Sequence, residues 1–293
     1  LQKICTANIK NEPGKCVYTH MLNPDGGIET DLTVVCVDKN HFRIISSAAT
    51  RERDKFHINK HLSKNVELKD ITDDLCVFGL FGPKSRDLLK TLSKDNFEND
   101  QFRFGFAKFI TIDGVKIWTQ RLSYVGELGY ELYVDLKDAK KIYELLIEKG
   151  KDFNLSNCGM HAMDIMRMES GFLHWGHDIS PEENQYQAGL AFTISNKKDV
   201  DFIGKQALEK IKQDKVKTRF SMFTLKESEP GKPLLLHDEP IYDGEKIIGR
   251  STSGNYSFNF KKNLVFGYIN NDLSNEELQN KNLFIEVEKK KYP

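Results

Sequence analysis

The stretch YVGELGYELYV, residues 124–134, places carboxylates among aromatic residues that favour strands. In a strand, Glu131 and Tyr133 lie on one face, opposite Tyr130 and Leu132. A carboxylate readily accepts two parallel N–H bonds, so Glu131 is a candidate to bind a guanidinium or the amino-pyrimidinone edge of a pterin. A salt bridge to an arginine and an exposed strand edge are the alternatives that the residues leave open.

Two glycines stand just before this carboxylate. Gly126 and Gly129 have no side chains, which predicts room for a flat group to approach Glu131.

A second acidic concentration lies in GGIETDL, residues 26–32. In a strand, Glu29 and Asp31 share one face, and Ile28 and Leu32 share the other. A carboxylate beside a cleft can hold an amine or take up a proton, so Asp31 is a candidate catalytic residue. A solvent-facing acid without a role is the alternative.

Other local patterns have ordinary structural explanations. His174 and His177 are close in sequence, but no third ligand is evident and Gly176 favours a loop, so no metal site is predicted. Asp164 and Arg167 have the spacing of an intrahelical ion pair. STSGNYS, residues 251–257, is expected to form a turn-rich loop. The sequence contains no dinucleotide-binding, Walker A or nucleophile-elbow motif.

The totals limit the class of protein. The chain has 293 residues, which favours roughly two domains, and its 43 basic and 43 acidic side chains cancel. A neutral chain gives no reason to expect nucleic acid or an anionic membrane as a partner. No apolar run is long enough to span a membrane. The five cysteines form no paired motif and are expected to be small buried residues in a reducing compartment.

Periodicity predicts a mixture of strands and helices. Strands are expected over 16–22, 28–38, 41–48 and 75–82, with a β-meander over 102–124. Helices are expected over 51–64, after Pro83, and over 138–150, 160–172 and 201–214. Beyond 214 only short strands are predicted. The expected architecture is an α+β region over 1–213 and a C-terminal β-barrel over 214–293.

The combination of these segments resembles one family. They occur in the order typical of the glycine-cleavage T-protein (aminomethyltransferase) superfamily and resemble most the folate-binding C-terminal regions of sarcosine and dimethylglycine dehydrogenases. The segments are LNPDGGIETDLTV, RLSYVGELGYELYV, GMHAMDIMRMESGF, HWGHDISPEENQYQAGLAFT, DFIGKQAL and GRSTSGNYS.

The resemblance implies a fold, a cofactor and site residues. The implied fold is a three-lobed ring of α+β subdomains with a terminal β-barrel and tetrahydrofolate in the central hole. The family's pterin-binding glutamate falls on Glu131 and its catalytic aspartate on Asp31. Tyr124 and Tyr18 fall on positions that line the folate pocket. The implied reaction is capture of a one-carbon unit from an N-methyl amine as 5,10-methylenetetrahydrofolate.

One departure from the family pattern bears on the donor. Met163 occupies the position where T-proteins have an arginine that contacts the folate tail, which favours the dehydrogenase-type relatives. A segment before Leu1 is expected, either the start of the folate-binding fold or a flavin domain, and FAD is expected only with such a domain. A flavin dehydrogenase domain or subunit is therefore an expected partner. The implied compartment is the bacterial cytoplasm or the mitochondrial matrix.

Two other functions remain open on the sequence. One is a glycine-cleavage aminomethyltransferase or folate-dependent demethylase, and the other is a non-catalytic regulatory or scaffold relative. The presence of both Asp31 and Glu131 argues against the non-catalytic alternative.

Overall fold

The backbone divides into two compact units. In the computed structural model, which describes residues 1–214, 216–270, 272 and 274–293, the first unit comprises residues 1–8, 19–31 and 164–293. The second unit comprises residues 9–18 and 32–163.

Thirteen strands and six α-helices are found in the described residues. The strands are Cys16–Leu22 (β1), Ile28–Cys36 (β2), Phe42–Ser46 (β3), Leu75–Phe81 (β4), Ala107–Ile112 (β5), Val115–Gln120 (β6), Gly129–Asp135 (β7), Thr218–Thr224 (β8), Pro240–Asp243 (β9), Lys246–Ser257 (β10), Lys262–Asn270 (β11), Leu283–Val287 (β12) and Lys290–Tyr292 (β13). The helices are Arg51–Lys60 (α1), Ser85–Leu92 (α2), Leu136–Gly150 (α3), Met160–Glu169 (α4), Lys205–Asp214 (α5) and Asn275–Gln279 (α6).

Most predicted elements are found, with differences at their ends, but the expectation of strands alone beyond residue 214 is wrong, because α6 lies there. The four strands predicted before residue 83 end within two residues of their expected limits. The helix expected over 160–172 stops at Glu169 because Gly171 adopts a positive φ of 73°. The Phe172 amide then donates to the Arg167 carbonyl at 2.9 Å, which closes the helix end in the manner of a Schellman motif.

The expectation of a loop over 251–257 is wrong. These residues complete β10, which pairs antiparallel with β11, and a bulge interrupts the register between Ser251 and Ser253. Serine, glycine and asparagine favour turns locally, but pairing with β11 overrides that preference here.

The second unit contains a four-stranded antiparallel sheet in the order β4-β7-β6-β5. One face of β7 is fully buried through Tyr130, Leu132 and Val134, as the alternation predicts. Leu89 of α2 and Ile142 of α3 belong to the same apolar core. Each such side chain contributes about 1.5–3 kcal/mol when fully buried, so this core fixes which face of β7 remains for Glu131.

The first unit contains a six-stranded sheet in the order β13-β12-β9-β10-β11-β8. Helix α4 packs on it through Ile165 and Met168, which form a buried cluster with Leu264 and Phe266 of β11. A further sheet has the order β1-β2-β3, and both β1 and β2 contain residues of each unit.

The cysteines are only partly as expected. Cys5, Cys16 and Cys36 are buried and Cys76 is half-buried, but Cys158 is exposed, so the expectation of burial is wrong there. In the described parts of the chain no helix is long and apolar enough to cross a membrane.

Candidate functional site

Glu131 lies on the face of β7 that the unit's main core leaves uncovered. It is half-buried, and the Tyr133 hydroxyl donates to its Oε2 at 2.7 Å. Tyr133 is itself buried, so this hydrogen bond fixes the direction of the carboxylate. Among the described residues Glu131 makes no ion pair, which rules out the alternative of a salt bridge to an arginine there.

Burial raises the pKa of Glu131, and the hydrogen bond from Tyr133 offsets part of that rise. The sheet therefore holds a carboxylate that has lost much of its water and has gained one protein donor in return. Further N–H donors from a ligand would stabilise its ionised form.

A cation and two aromatic rings lie on the same face. The Arg43 guanidinium is 5.0 Å from the centroid of the Trp118 ring and 5.8 Å from that of the Tyr133 ring. Trp118 pairs with Tyr133 across β6 and β7, so both rings point to one side of the sheet. Burial lowers the pKa of Arg43.

Gln120 lies directly opposite Glu131 in the pairing of β6 with β7. It is completely buried, and its Oε1 accepts a hydrogen bond from the Cys16 thiol at 3.8 Å. Burial and the nearby Glu131 charge raise the pKa of Cys16 to about 12, so this thiol stays protonated at neutral pH. Sequence reasoning missed Gln120 because its position follows from strand register, which no local pattern shows.

The interpretation of Gly129 as room for a ligand is wrong. A Cβ at Gly129 would lie 2.5 Å from the Phe81 ring and 2.9 Å from the Leu122 carbonyl oxygen, so the protein itself fills this space. Gly79, which pairs with Glu131 from β4, is likewise covered by the Phe81 ring. These glycines seat a half-buried aromatic ring on the Glu131 face.

The other predicted site residues are distributed over both units. Tyr124 is half-buried in the irregular segment before β7, and Tyr18 lies in β1; both belong to the second unit, as Glu131 does. Asp31 belongs to the first unit, in β2. The burial of that strand alternates as predicted, with Ile28 and Leu32 buried and Glu29 and Asp31 half-exposed.

A buried ion pair in the first unit was not predicted in full. Arg167 donates to Asp164, as its helical spacing indicates, but also to the carboxylate of Asp178, to the Phe172 carbonyl and to Ser253 Oγ.

Asp178 collects further donors within the same unit. Its Oδ1 accepts from Thr252 Oγ1 at 2.6 Å and from Ser253 Oγ at 2.8 Å, and its Oδ2 accepts from the His174 amide at 2.9 Å. The network joins α4, the 172–178 segment and β10. No sequence pattern pointed to Asp178.

His174 and His177 lie in a non-helical segment, as Gly176 indicated, and their ring centroids are 4.6 Å apart. No group of three or more candidate ligands that could hold a metal ion is found in the described residues.

Comparison with known proteins identifies the family. The sequence profile of the GCVT N-terminal domain matches residues 1–198, and that of the glycine cleavage T-protein C-terminal barrel domain matches residues 219–293. The chain belongs to the glycine-cleavage T-protein family. The predicted family and α+β fold with a C-terminal barrel domain are thereby confirmed.

Two relatives illustrate the range of proteins to which the chain is similar. The human mitochondrial dimethylglycine dehydrogenase is 33% identical over 290 residues, which are 98% of this chain but 33% of that protein. The chain thus spans about a third of the length of this relative. The aminomethyltransferase of Halothermothrix orenii is 33% identical over 273 residues, 93% of this chain and 74% of that protein.

A solved T-protein structure shows the fold. The crystal structure of the glycine cleavage system aminomethyltransferase T from Bartonella henselae matches with a TM-score of 0.84 at 20% identity, over 100% of this chain and 77% of that one.

Proposed function

We propose that this chain binds tetrahydrofolate through Glu131 and captures on it a one-carbon unit from an N-methyl amine of the sarcosine or dimethylglycine type, giving 5,10-methylenetetrahydrofolate. The observation that carries the proposal is the half-buried Glu131 carboxylate, directed by Tyr133, in a chain of the T-protein family.

The chemistry of the Glu131 face fits a pterin. The amino-pyrimidinone edge offers two parallel N–H donors, and a half-buried carboxylate without a cationic partner is the matching acceptor. The Phe81 ring supplies a flat apolar neighbour on the same face. Buried binding sites typically combine such apolar surface with a few directed polar groups.

The remaining site residues have proposed roles. When bound, tetrahydrofolate supplies the two nitrogens that receive the one-carbon unit. Asp31 would hold a protonated amine in place and take up a proton, for which its half-exposed position on β2 is suitable. Tyr18 and Tyr124 would line the folate pocket.

The choice of donor rests on the relatives and on one residue. The match to a dimethylglycine dehydrogenase extends over 98% of this chain, and Met163 replaces the arginine expected of T-proteins. A flavin domain or subunit carrying FAD would then supply the oxidised one-carbon unit. A mitochondrial or bacterial cytoplasmic location follows as part of the same proposal. The boundary at 213/214 stays a prediction.

A glycine-cleavage aminomethyltransferase is the second candidate. It is favoured by the match to the Halothermothrix orenii protein, of which this chain covers 74%. Release of methylenetetrahydrofolate from an aminomethyl-lipoyl carrier protein would distinguish it from the first candidate. A folate-dependent demethylase and a non-catalytic scaffold are further alternatives, and the scaffold would bind no folate.

Calorimetric titration with tetrahydrofolate, kept reduced, tests the proposal. We expect one saturable site, and we expect Glu131→Ala to weaken it by about 1.5–3 kcal/mol, the scale of hydrogen bonds to a charged group. Glu127→Ala is the matched control, because Glu127 is exposed four residues away. Equal affinity of Glu131→Ala and the parent would overturn the placement, and absence of binding by the parent would overturn the function.

A further inference from the structure

Several buried polar atoms near Glu131 lack a hydrogen-bond partner among the described residues. They are Gln120 Nε2, Trp118 Nε1, and Nε and Nη1 of Arg43. All belong to the second unit: Trp118 and Gln120 lie on β6, which pairs with the strand of Glu131, and Arg43 lies on β3. A buried donor without an acceptor is costly, so such atoms in a folded protein call for an explanation.

Gln120 is the most informative of these residues. Its side chain is completely buried, and its register partner is Glu131, so the two side chains leave the sheet on the same face. The Cys16 thiol donates a hydrogen bond to the amide oxygen of Gln120, whereas the N–H₂ group of the same amide has no acceptor among the described residues. This group does not reach the carboxylate opposite, although the two residues are direct neighbours in the sheet.

The pair therefore presents an acceptor and a donor side by side. Glu131 accepts N–H bonds, whereas the Gln120 amide requires an acceptor. The complementary ligand edge has two N–H donors with an acceptor next to them. A 2-amino-4-oxopyrimidine ring has this order: the 2-amino group, the ring N3–H and then the 4-oxo oxygen.

We propose that Gln120 determines specificity in this site by donating to the 4-oxo oxygen of the pterin that Glu131 binds. This inference rests on the proposed function and names the group that tells a 4-oxo pterin from a 4-amino pterin. A 4-amino group places a donor against the Gln120 donor and leaves the amide unsatisfied, which is how buried polar groups reject near-identical ligands.

Equilibrium binding of two ligands to parent and variant tests the contact. Tetrahydrofolate and tetrahydroaminopterin differ by an amino group in place of the 4-oxo oxygen and by the N3 hydrogen, which the neutral 4-amino ring lacks. We expect Gln120→Leu to raise the Kd for tetrahydrofolate about tenfold or more, and to change the Kd for tetrahydroaminopterin less than threefold. Comparing the effect of one substitution on both ligands isolates this contact from the contribution of Glu131.

Two further variants sharpen the result. Gln120→Glu replaces the donor by an acceptor, so it is expected to weaken tetrahydrofolate more than Gln120→Leu does and to favour the 4-amino ligand. Thr119→Val is the matched control, because Thr119 lies on the opposite face of the same strand and pairs with Leu132. It is expected to leave both Kd values unchanged. If Gln120→Leu does not fold, Gln120→Met permits the same comparison.

The outcomes separate this inference from the function. If Gln120→Leu weakens both ligands equally, or neither, the proposed contact is wrong, and the amide serves packing or a trapped water. A parent that prefers the 4-amino ligand also overturns it. If the folded parent binds neither ligand, the proposed function itself fails.

Discussion

At the scale of single residues, Glu131 costs the folded protein stability. Burial raises its pKa above the value in the unfolded chain, so the folded state holds the proton more tightly. The stability that this protonated form contributes is complete below the unfolded pKa of about 4.3 and is lost as the pH rises through the folded pKa. At neutral pH the ionised side chain therefore lowers the free energy of unfolding unless a ligand donates hydrogen bonds to it.

We expect Glu131→Gln to stabilise the ligand-free protein at neutral pH by about 1 kcal/mol, because the amide carries no charge. Substitutions that remove a strained functional group commonly stabilise a protein by this much. The amide oxygen can still accept from Tyr133, so packing is kept. The gain should shrink as the pH falls below the folded pKa of Glu131. Urea denaturation of parent and variant at several pH values measures it. A variant that is less stable than the parent at neutral pH would show that the carboxylate serves the fold.

The sequence predicted the face of β7 on which Glu131 lies, but not the neighbours of Glu131 on that face. Alternation along one strand is a local property, and it places Glu131 with Tyr133 and away from Leu132. Gln120 comes beside Glu131 only through the register of β6 against β7. The error at Gly129 has the same origin, because Phe81, which fills that space, comes from β4.

At the scale of elements, Arg167 and Asp178 hold helix α4 to strand β10. Arg167 and Asp178 are each 1% exposed, so water hydrates neither charge. Hydrogen bonds from and to neighbouring groups offset the loss of hydration of both charges, which allows the ion pair to be buried. The pair thus fixes the position of α4 on the sheet together with the apolar cluster around Phe266.

Arg167→Met is expected to reduce the free energy of unfolding by about 3–5 kcal/mol, because it leaves the Asp178 carboxylate buried without a cation. Adding Asp178→Asn should recover part of that loss, since it removes the unpaired charge. Arg103→Met is a control at an exposed ion pair with Glu12 and should cost at most about 1 kcal/mol. Urea denaturation would refute the assignment if Arg167→Met and the control lost equal stability.

The sequence predicted helix α4, but it did not predict the hydrogen bonds that join this helix to β10. Helix α4 shows its apolar period and its terminal glycine, and Asp164 is three residues from Arg167. Asp178 lies beyond the end of α4, and Ser253 lies far from Arg167 in sequence. The turn-forming composition of residues 251–257 also gave no indication that they form a strand. Contacts across such distances depend on packing, which periodicity does not report.

At the scale of the whole molecule, the compact units do not follow the order of the chain. The C-terminal barrel profile covers residues 219–293, yet those residues share a unit with residues 164–213 and with two short N-terminal segments. Ile165 and Met168 precede the predicted boundary at 213/214, and the residues they pack on, Leu264 and Phe266, follow it. The C-terminal region therefore completes a core that begins in α4.

A fragment of residues 1–213 is accordingly expected to lose the cooperative unfolding of the first unit, while the second unit, whose apolar core lies within the fragment, keeps its own transition. It would expose Ile165 and Met168 to water and leave Arg167 without Ser253. Near-UV circular dichroism, thermal unfolding and dye binding, each compared with the full chain, measure this. We expect the fragment to lose part of the near-UV signal and to bind the hydrophobic dye, because the apolar face of α4 has no partner left. If the fragment bound no more dye than the full chain and unfolded within about 2–4 °C of it, a shift of roughly 1 kcal/mol for a fragment of this size, 213/214 would instead be a boundary between independently stable domains.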